Sequence, residues 1–237
     1  MQYGFQRTQA GLYSPSPRGL AGFQRQGMDQ RKKGGGTPIV FKGSDFSLSG
    51  ATSVSKAFFA PAIGDVVVVW CGASGGGSQT LTTAGGGRVW NYTPVVWGAH
   101  GYTSAYFWQV LDALDVANTW NLGGAAGYEV TAYAGNGATA VTAKITVADG
   151  NTGLTTRDIG GFTPAAASKG VITLLSDRDA SVLAVTTAGF TLRQDRSLET
   201  FWESGIADKL SGYGGENIVW TMSASGTGEV VVALEVT

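Results

Sequence analysis

A series of short apolar runs, separated by turn signals, constrains the fold of this chain more than any other feature. Residues 66–71 are apolar at every position, which is typical of a central strand covered on both faces. Residues 139–147 alternate apolar and polar side chains, which is typical of a strand with one exposed face. Turn signals follow about every 8–15 residues, and this spacing predicts an all-β, antiparallel β-sandwich of jelly-roll type.

Other segments add strands to this prediction. Strong candidates are residues 102–111, 171–175, 181–187, 217–222 and 229–236, and weaker candidates are residues 52–59, 89–96 and 128–133. Residues 198–210 are compatible with a helix, since Phe201 and Ile206 would share a stripe, but Gly205 weakens that prediction. Glycine fills 37 of the 237 positions, which disfavours a helical bundle because each interior glycine costs a helix about 1 kcal/mol.

The N-terminal segment differs from the rest of the chain in charge and in pattern. Residues 1–42 carry seven bases and one acid, a local charge of +6, whereas the remaining residues carry nine bases and sixteen acids, a charge of −7. Two prolines in residues 14–17 favour extended backbone, and the glycines of residues 34–36 form a flexible joint. The sequence therefore predicts an extended basic arm, residues 1–43, before a β-sandwich domain, residues 44–237.

The arm contains a short internal repeat. Gly-Phe-Gln-Arg occurs at residues 4–7 and again at residues 22–25. The repeat is either a coincidence in a segment rich in Gly and Gln, or two copies of a docking peptide that places a Phe in a pocket and an Arg on an acceptor. The residues predicted to dock on the partner are Phe5, Arg7, Phe23, Arg25, Arg31, Lys32 and Lys33. Docking on a protein surface is favoured over nucleic-acid binding, because the basic residues are mostly spread out.

An ordered series of motifs runs through residues 50–237. The motifs are GDVVVV at 64–69, an aromatic loop near Trp90, AYFWQV at 105–110, VTAYAG at 130–135 and GEVVVALEV at 228–236. Their order and spacing resemble those of a diffuse group of bacteriophage and prophage structural proteins, often encoded near tail genes. Two positions depart from the group pattern, since Val89 precedes Trp90 where the group has Gly, and Ala134 stands where the group has Arg.

The resemblance implies a structural component of a bacteriophage particle that is not an enzyme. The arm would anchor the protein to the virion, with the tail or tail-fibre apparatus as the favoured location. Capsid decoration, or a carbohydrate- or receptor-binding module of the virion, is the alternative. The expected partners are other virion proteins, further copies of the chain and a host surface glycan. No membrane contact is expected, and the protein would be made in the host bacterial cytoplasm and reside in the virion.

Few residues are candidates for catalysis. His100, the only histidine, lies in a loop pattern without a nucleophile elbow. Two carboxylate pairs, Asp177 with Asp179 and Glu199 with Glu203, could serve glycoside hydrolysis. The first pair is more typical of a solvated turn and the second of the polar face of a helix. The sequence therefore predicts no catalytic residue.

The sequence also predicts no metal site and no cofactor. Cys71 is the only cysteine, and its apolar neighbours favour a buried, inert thiol. With one Cys and one His, a transition-metal site would depend on carboxylates. The glycine runs at residues 75–77 and 85–87 lack the Gly-Lys-Ser/Thr ending of a phosphate-binding loop.

The remaining candidate is a group of aromatic residues. Trp90, Tyr92, Trp97 and Tyr102 lie close together in the sequence, and Asn91 adds a hydrogen-bonding group. Exposed aromatic faces beside such groups bind sugars, so these four residues form a candidate glycan-binding surface. The alternative is that they pack in the core of the sandwich or at a subunit interface, where aromatic side chains also predominate.

Overall fold

The computed structural model of this chain describes nine stretches of sequence. They are residues 37–48, 50–74, 78–97, 102–125, 127–149, 154–178, 182–199, 202–223 and 229–237. The seven docking residues predicted in the arm lie outside these stretches. The division of the chain near residue 43 stays a prediction, and the first strand of the described structure begins at Val40.

Within the described residues, regular structure is almost entirely β. The strands of the first half are β1 (Val40–Ser47), β2 (Ser53–Val54), β3 (Val66–Ser74), β4 (Thr80–Thr83), β5 (Arg88–Val89), β6 (Asn91–Trp97), β7 (Tyr102–Val110), β8 (Trp120–Gly123) and β9 (Gly127–Ala134), with helix α1 (Ala113–Ala117) between β7 and β8. Those of the second half are β10 (Val141–Asp149), β11 (Thr156–Asp158), β12 (Gly170–Arg178), β13 (Leu183–Val185), β14 (Thr191–Glu199), β15 (Trp202–Lys209), β16 (Val219–Met222) and β17 (Glu229–Val236). No described helix is long and apolar enough to span a membrane.

The strands form four antiparallel sheets arranged in layers. The first inner sheet has the order β1-β9-β3-β7-β6, and the second inner sheet has the order β10-β17-β12-β15-β14. These two sheets share one apolar core. The first outer sheet, β2-β8-β4-β5, covers the other face of the first inner sheet, and the second outer sheet, β11-β16-β13, covers that of the second. The prediction of an all-β, antiparallel sandwich is confirmed.

The two halves share one topology. Reading along the chain, β1 to β4 correspond to β10 to β13, and β6 to β9 correspond to β14 to β17, since each pair occupies the same place in its sheet. Only β5 has no counterpart among the described strands. The described part of the chain therefore consists of two similar β-sandwiches that pack through their inner sheets.

Strand β3 shows why the apolar run at residues 66–71 needs cover on both faces. Its side chains alternate between two cores. Val66, Val68 and Trp70 face the second inner sheet, whereas Val67, Val69 and Cys71 face the first outer sheet. All six are fully buried, so the predicted central strand is confirmed.

The helix considered for residues 198–210 is wrong. This stretch contains the end of β14 and all of β15, which pair with each other. A Cβ on Gly205 would lie 3.0 Å from both Leu183 Cδ1 and Trp220 Cζ3. The glycine is therefore required by the packing of the outer sheet against β15, and it does not mark a weak helix.

Candidate functional site

Three carboxyl groups gather on neighbouring strands of the second inner sheet. Asp177 on β12 lies directly opposite Glu203 on β15, and Asp195 on β14 lies opposite Gly205. Residues two apart in a strand share a face. Leu175, two positions before Asp177, packs beneath the second outer sheet, so all three carboxyls lie on that face. We call Asp177, Asp195 and Glu203 the carboxyl cluster.

The carboxyl cluster is largely enclosed. The exposed fraction is 0% for Asp177 and 7% for Glu203, whereas Asp195 is half-buried. Asp195 Oδ1 accepts a hydrogen bond of 3.3 Å from the backbone N–H of Leu183 on β13. The register also places the backbone of Glu229, on β17, opposite Asp177. The sheet thus brings several acidic positions to one end of its strands.

Glu203 holds its proton more tightly than an ordinary glutamate. Burial raises its pKa to about 8, and a hydrogen bond to Asp195 and the negative charges of Asp195 and Asp177 act in the same direction. The nearby Arg196 opposes this rise in the pKa but does not cancel it. At neutral pH, Glu203 is therefore mostly protonated and donates its proton to a hydrogen bond with Asp195.

A fourth acid, Glu129 on β9, lies in the core between the two inner sheets. It is fully buried, and neither carboxyl oxygen has a hydrogen-bond partner of ordinary geometry, although the Ser204 side chain is near enough to lower its pKa. Burial raises the pKa of Glu129 well above its usual value. Asp208 in the same core differs, because Arg193 donates to both of its oxygens, at 2.6 and 3.0 Å.

This arrangement is suited to holding a proton. Glu203 and Asp195 are two carboxyls that share one proton, which is the relation found in general acid–base pairs. A general acid must also reach the proton acceptor of a substrate, and the enclosed position of Glu203 restricts such access. Among the described residues, no group of His, Cys, Asp and Glu is placed to hold a metal ion.

The structure pairs the acidic residues differently from the sequence analysis. Asp177 lies within β12 and not in a solvated turn, because the strand continues to Arg178. Glu203 lies in β15 and not on a helix, so the strand register places it opposite Asp177 rather than beside Glu199. The side chain of Glu199 lies outside the described part of the chain, as do Asp179 and His100. The absence of a catalytic residue stays a prediction.

The four aromatic residues are not equivalent. Trp90 is only 1% exposed; its ring packs edge-on against Trp120 at 5.0 Å, and its Nε1 donates to Thr83 Oγ1. For Trp90, therefore, the glycan-binding interpretation is corrected to core packing. Tyr92 is 51% exposed and stacks on Phe107 at 5.9 Å between ring centroids.

The other two members of the aromatic group are placed only by their backbone. Trp97 lies opposite Tyr102 in the pairing of β6 with β7, and the side chains of both lie outside the described structure. The glycan-binding surface thus stays a prediction that depends on Tyr92, Trp97 and Tyr102. Cys71 is buried as expected, and burial raises the pKa of its thiol.

The sequence analysis missed two of the acids described above, Asp195 of the carboxyl cluster and Glu129 of the core. Glu129 carried a usable signal, because it is a lone acid within an apolar strand candidate, and such a residue is seldom fully buried without a partner. Asp195 carried none, because its role depends on a β13 backbone that lies twelve residues earlier. Long-range pairing therefore decides which carboxyls meet.

Comparison with known proteins found no relative of this chain. The chain matches no protein-family model, no curated protein and no solved structure.

Proposed function

We propose that the chain is a structural, non-catalytic component of a bacteriophage particle. Its N-terminal arm, residues 1–43, anchors it to the virion, and its β-sandwich makes contacts with neighbouring subunits. The tail or tail-fibre apparatus is the favoured location, and capsid decoration is the alternative. The motif series that resembles phage structural proteins supports this proposal, and four of its five motifs fall on β3, β7, β9 and β17 of the inner sheets.

The observation that carries the proposal concerns the edges of the sheets. Every exposed large apolar side chain that lies in a described strand lies in an edge strand. These residues are Val40 and Phe46 on β1, Val89 on β5, Tyr92 on β6 and Leu192 on β14. An edge strand with exposed apolar side chains promotes pairing and aggregation in a free monomer, whereas neighbouring subunits can cover it in an assembly.

Mass spectrometry of separated heads and tails tests the location. The proposal expects the protein in purified particles, and enrichment in tails or in heads decides between the two locations. Absence of the protein from both fractions would refute the proposal. Lysis products that contain no particles serve as the control for contamination.

Charged substitutions at the edge strands test the contacts. Val89→Lys combined with Tyr92→Lys should reduce incorporation into particles, because lysine on an edge strand opposes pairing with a neighbour. Ile63→Lys is the matched control, since Ile63 is also exposed but lies in a loop. Equal incorporation of both variants would contradict a role for the edges.

The arm is tested separately. Deleting residues 1–36 should leave a folded protein that no longer joins particles. Phe5→Ala or Phe23→Ala alone should reduce incorporation in part, and the double substitution should nearly abolish it, because two tethered weak sites bind together far more tightly than one. If the double variant is incorporated like the wild type, the repeated Gly-Phe-Gln-Arg is a coincidence.

Tyr92 favours a second candidate, a receptor-binding module of the virion. Its ring is half exposed and is held against Phe107, an arrangement that suits stacking on a sugar ring. A glycan array probed with the wild type, Tyr92→Ala and Val89→Ala distinguishes this role. Binding that is lost only in Tyr92→Ala would support it, and no binding by the wild type would exclude it for the glycans on the array.

A further inference from the structure

The open edge of the second outer sheet differs from the matching edge of the first. In the first half, β5 pairs with β4, with Thr82 opposite Val89 and Thr83 opposite Arg88. In the second half, β13 corresponds to β4, and no described strand pairs with its outer side. The β13 edge is therefore the one position at which the described strand topology of the halves diverges.

The side chain of Asp195 lies at part of the open β13 edge. Val182 and Thr186 flank β13, and both bond to the β16 side. Val182 O accepts the N–H of Ser223, and Thr186 donates its N–H to Val219 O. Backbone groups of successive residues in a strand point to alternate sides, so the N–H of Leu183 points away from β16. Asp195 accepts this N–H at 3.3 Å, where a neighbouring strand would otherwise accept it.

Several charged groups surround Glu203 and Asp195. Glu203 on β15 and Asp177 on β12 approach from the same face of the sheet. Glu129 on β9 interacts electrostatically with Glu203 and Asp195 from the core between the inner sheets, whereas the exposed Arg196 on β14 lowers the pKa of Glu203. The adjacent residues of β13 and β16, Leu183 and Met222, are uncharged. On β17, the backbone of Glu229 lies opposite that of Asp177.

We propose that the proton shared by Glu203 and Asp195 is a switch that keeps the β13 edge closed, and that loss of this proton opens the edge. With the proton in place, Asp195 accepts hydrogen bonds from both Glu203 and Leu183. Without it, adjacent carboxylates repel one another in a site with little water. Asp195 is the half-buried member of the pair, so it relieves the repulsion by turning to solvent and releasing Leu183.

The raised pKa of Glu203, about 8, places loss of the proton at mildly alkaline pH. An opened edge presents unpaired backbone N–H and C=O groups, which are a template for pairing with another chain. This inference does not depend on the proposed virion role, because it concerns one edge of the isolated protein.

Hydrogen exchange on the full chain tests the switch. Amide protection factors for Leu183, corrected for the intrinsic effect of pH, are compared at about pH 6 and about pH 9.5, on either side of the raised pKa. We expect protection to fall about tenfold or more in the wild type and to stay constant in Glu203→Gln, which remains neutral and can still donate to Asp195. Asp45→Asn, in which a carboxyl of β1 is replaced, should behave as the wild type.

A second measurement keeps the test decisive if Glu203→Gln does not fold. The carboxyl carbon resonance of Glu203 in the wild type should titrate on the alkaline side of neutrality. Titration in the usual glutamate range would overturn the proposal. Constant protection of Leu183 in the wild type, or an equal loss of protection in wild type and Glu203→Gln, would overturn it as well.

Discussion

Among the described strands, four form the outer sheet of the first half and three form that of the second, where an aspartate side chain caps part of the open edge. The inner sheets of the halves nevertheless have the same strand order. The comparison shows that one topology tolerates two ways of satisfying an edge N–H group. A backbone strand satisfies it independently of pH, whereas in the proposed switch the carboxyl of Asp195 satisfies it only while Glu203 keeps its proton.

Two buried acidic sites, one at Asp115 in the first half and one at Glu203 in the second, also differ in how their charge is matched. In the first half, the fully buried Asp115 of α1 accepts from Thr83 Oγ1 and Arg88, and its carboxyl also accepts the N–H of Asp112. In the second half, the buried Asp177 and Glu203 face each other across neighbouring strands. The first site thus offers donors to its buried carboxyl, whereas in the second site burial and the neighbouring carboxyls raise the pKa of Glu203.

A tryptophan holds each outer sheet against its inner sheet. Trp120 on β8 and Trp220 on β16 are both fully buried. The indole N–H of Trp120 donates to Asp115 O at 2.9 Å, and that of Trp220 donates to Thr173 Oγ1 at 3.0 Å. The two rings therefore have corresponding roles although their hydrogen-bond partners differ.

The largest expected effect comes from removing these rings. Trp120→Ala and Trp220→Ala should each lower the free energy of unfolding by about 3–5 kcal/mol, because each leaves a large cavity between sheets. Chemical denaturation followed by circular dichroism measures this loss. If the halves unfold together, both variants shift one transition. A variant that melts one half while the other stays folded would show that the shared core does not couple them.

A smaller effect is expected at Asp115. Asp115→Ala should cost about 1–3 kcal/mol, because the partners of its carboxyl lose an acceptor in a buried site. Glu203→Gln is the comparison in the second half and should cost less, since the amide is neutral like the protonated carboxyl and can still donate to Asp195. Equal losses of unfolding free energy in the two variants would contradict the distinction drawn between the two sites.

The pH dependence of stability should come in part from Glu203. Between pH 4.5, its usual pKa, and about pH 8, its pKa in the folded protein, the folded state binds a proton that the unfolded chain releases. The free energy of unfolding must therefore fall as the pH rises through this window. Glu203→Gln should remove this contribution, measured as a flatter plot of melting temperature against pH. An unchanged slope would assign the dependence to other groups.

The smallest effects are expected at the exposed edges. Val89→Thr on β5 should change the free energy of unfolding by less than about 0.5 kcal/mol, since its side chain is 61% exposed, and Leu192→Thr on β14 should cost somewhat more, since its side chain is 37% exposed. Their effect should be on association between copies, measured by sedimentation. A large loss of stability in one variant only would show that this edge is covered in solution.

Local pattern was sufficient to predict much of the fold. The apolar run in β3, the alternation in β10 and the closing run in β17 each depend on neighbours in sequence, and all three strands formed where expected. An unused signal was the repeat Thr-Thr-Ala-Gly at residues 82–85 and 186–189, which begins within β4 in the first half and directly after the corresponding β13 in the second. Gly85 and Gly189 both have φ of +83°, a conformation that favours glycine. This repeat indicates the duplicated topology.

The sequence by itself determined the class of fold, because strand periodicity and turn residues act over a few positions. Only the tertiary structure decided that Trp90 faces the core, that residues 202–209 form a strand and that Asp177 meets Glu203. Asp177 and Glu203 are 26 residues apart, and their meeting depends on the register of two paired strands. A shift of one residue in that register would change which side chains oppose each other, and no local pattern encodes it.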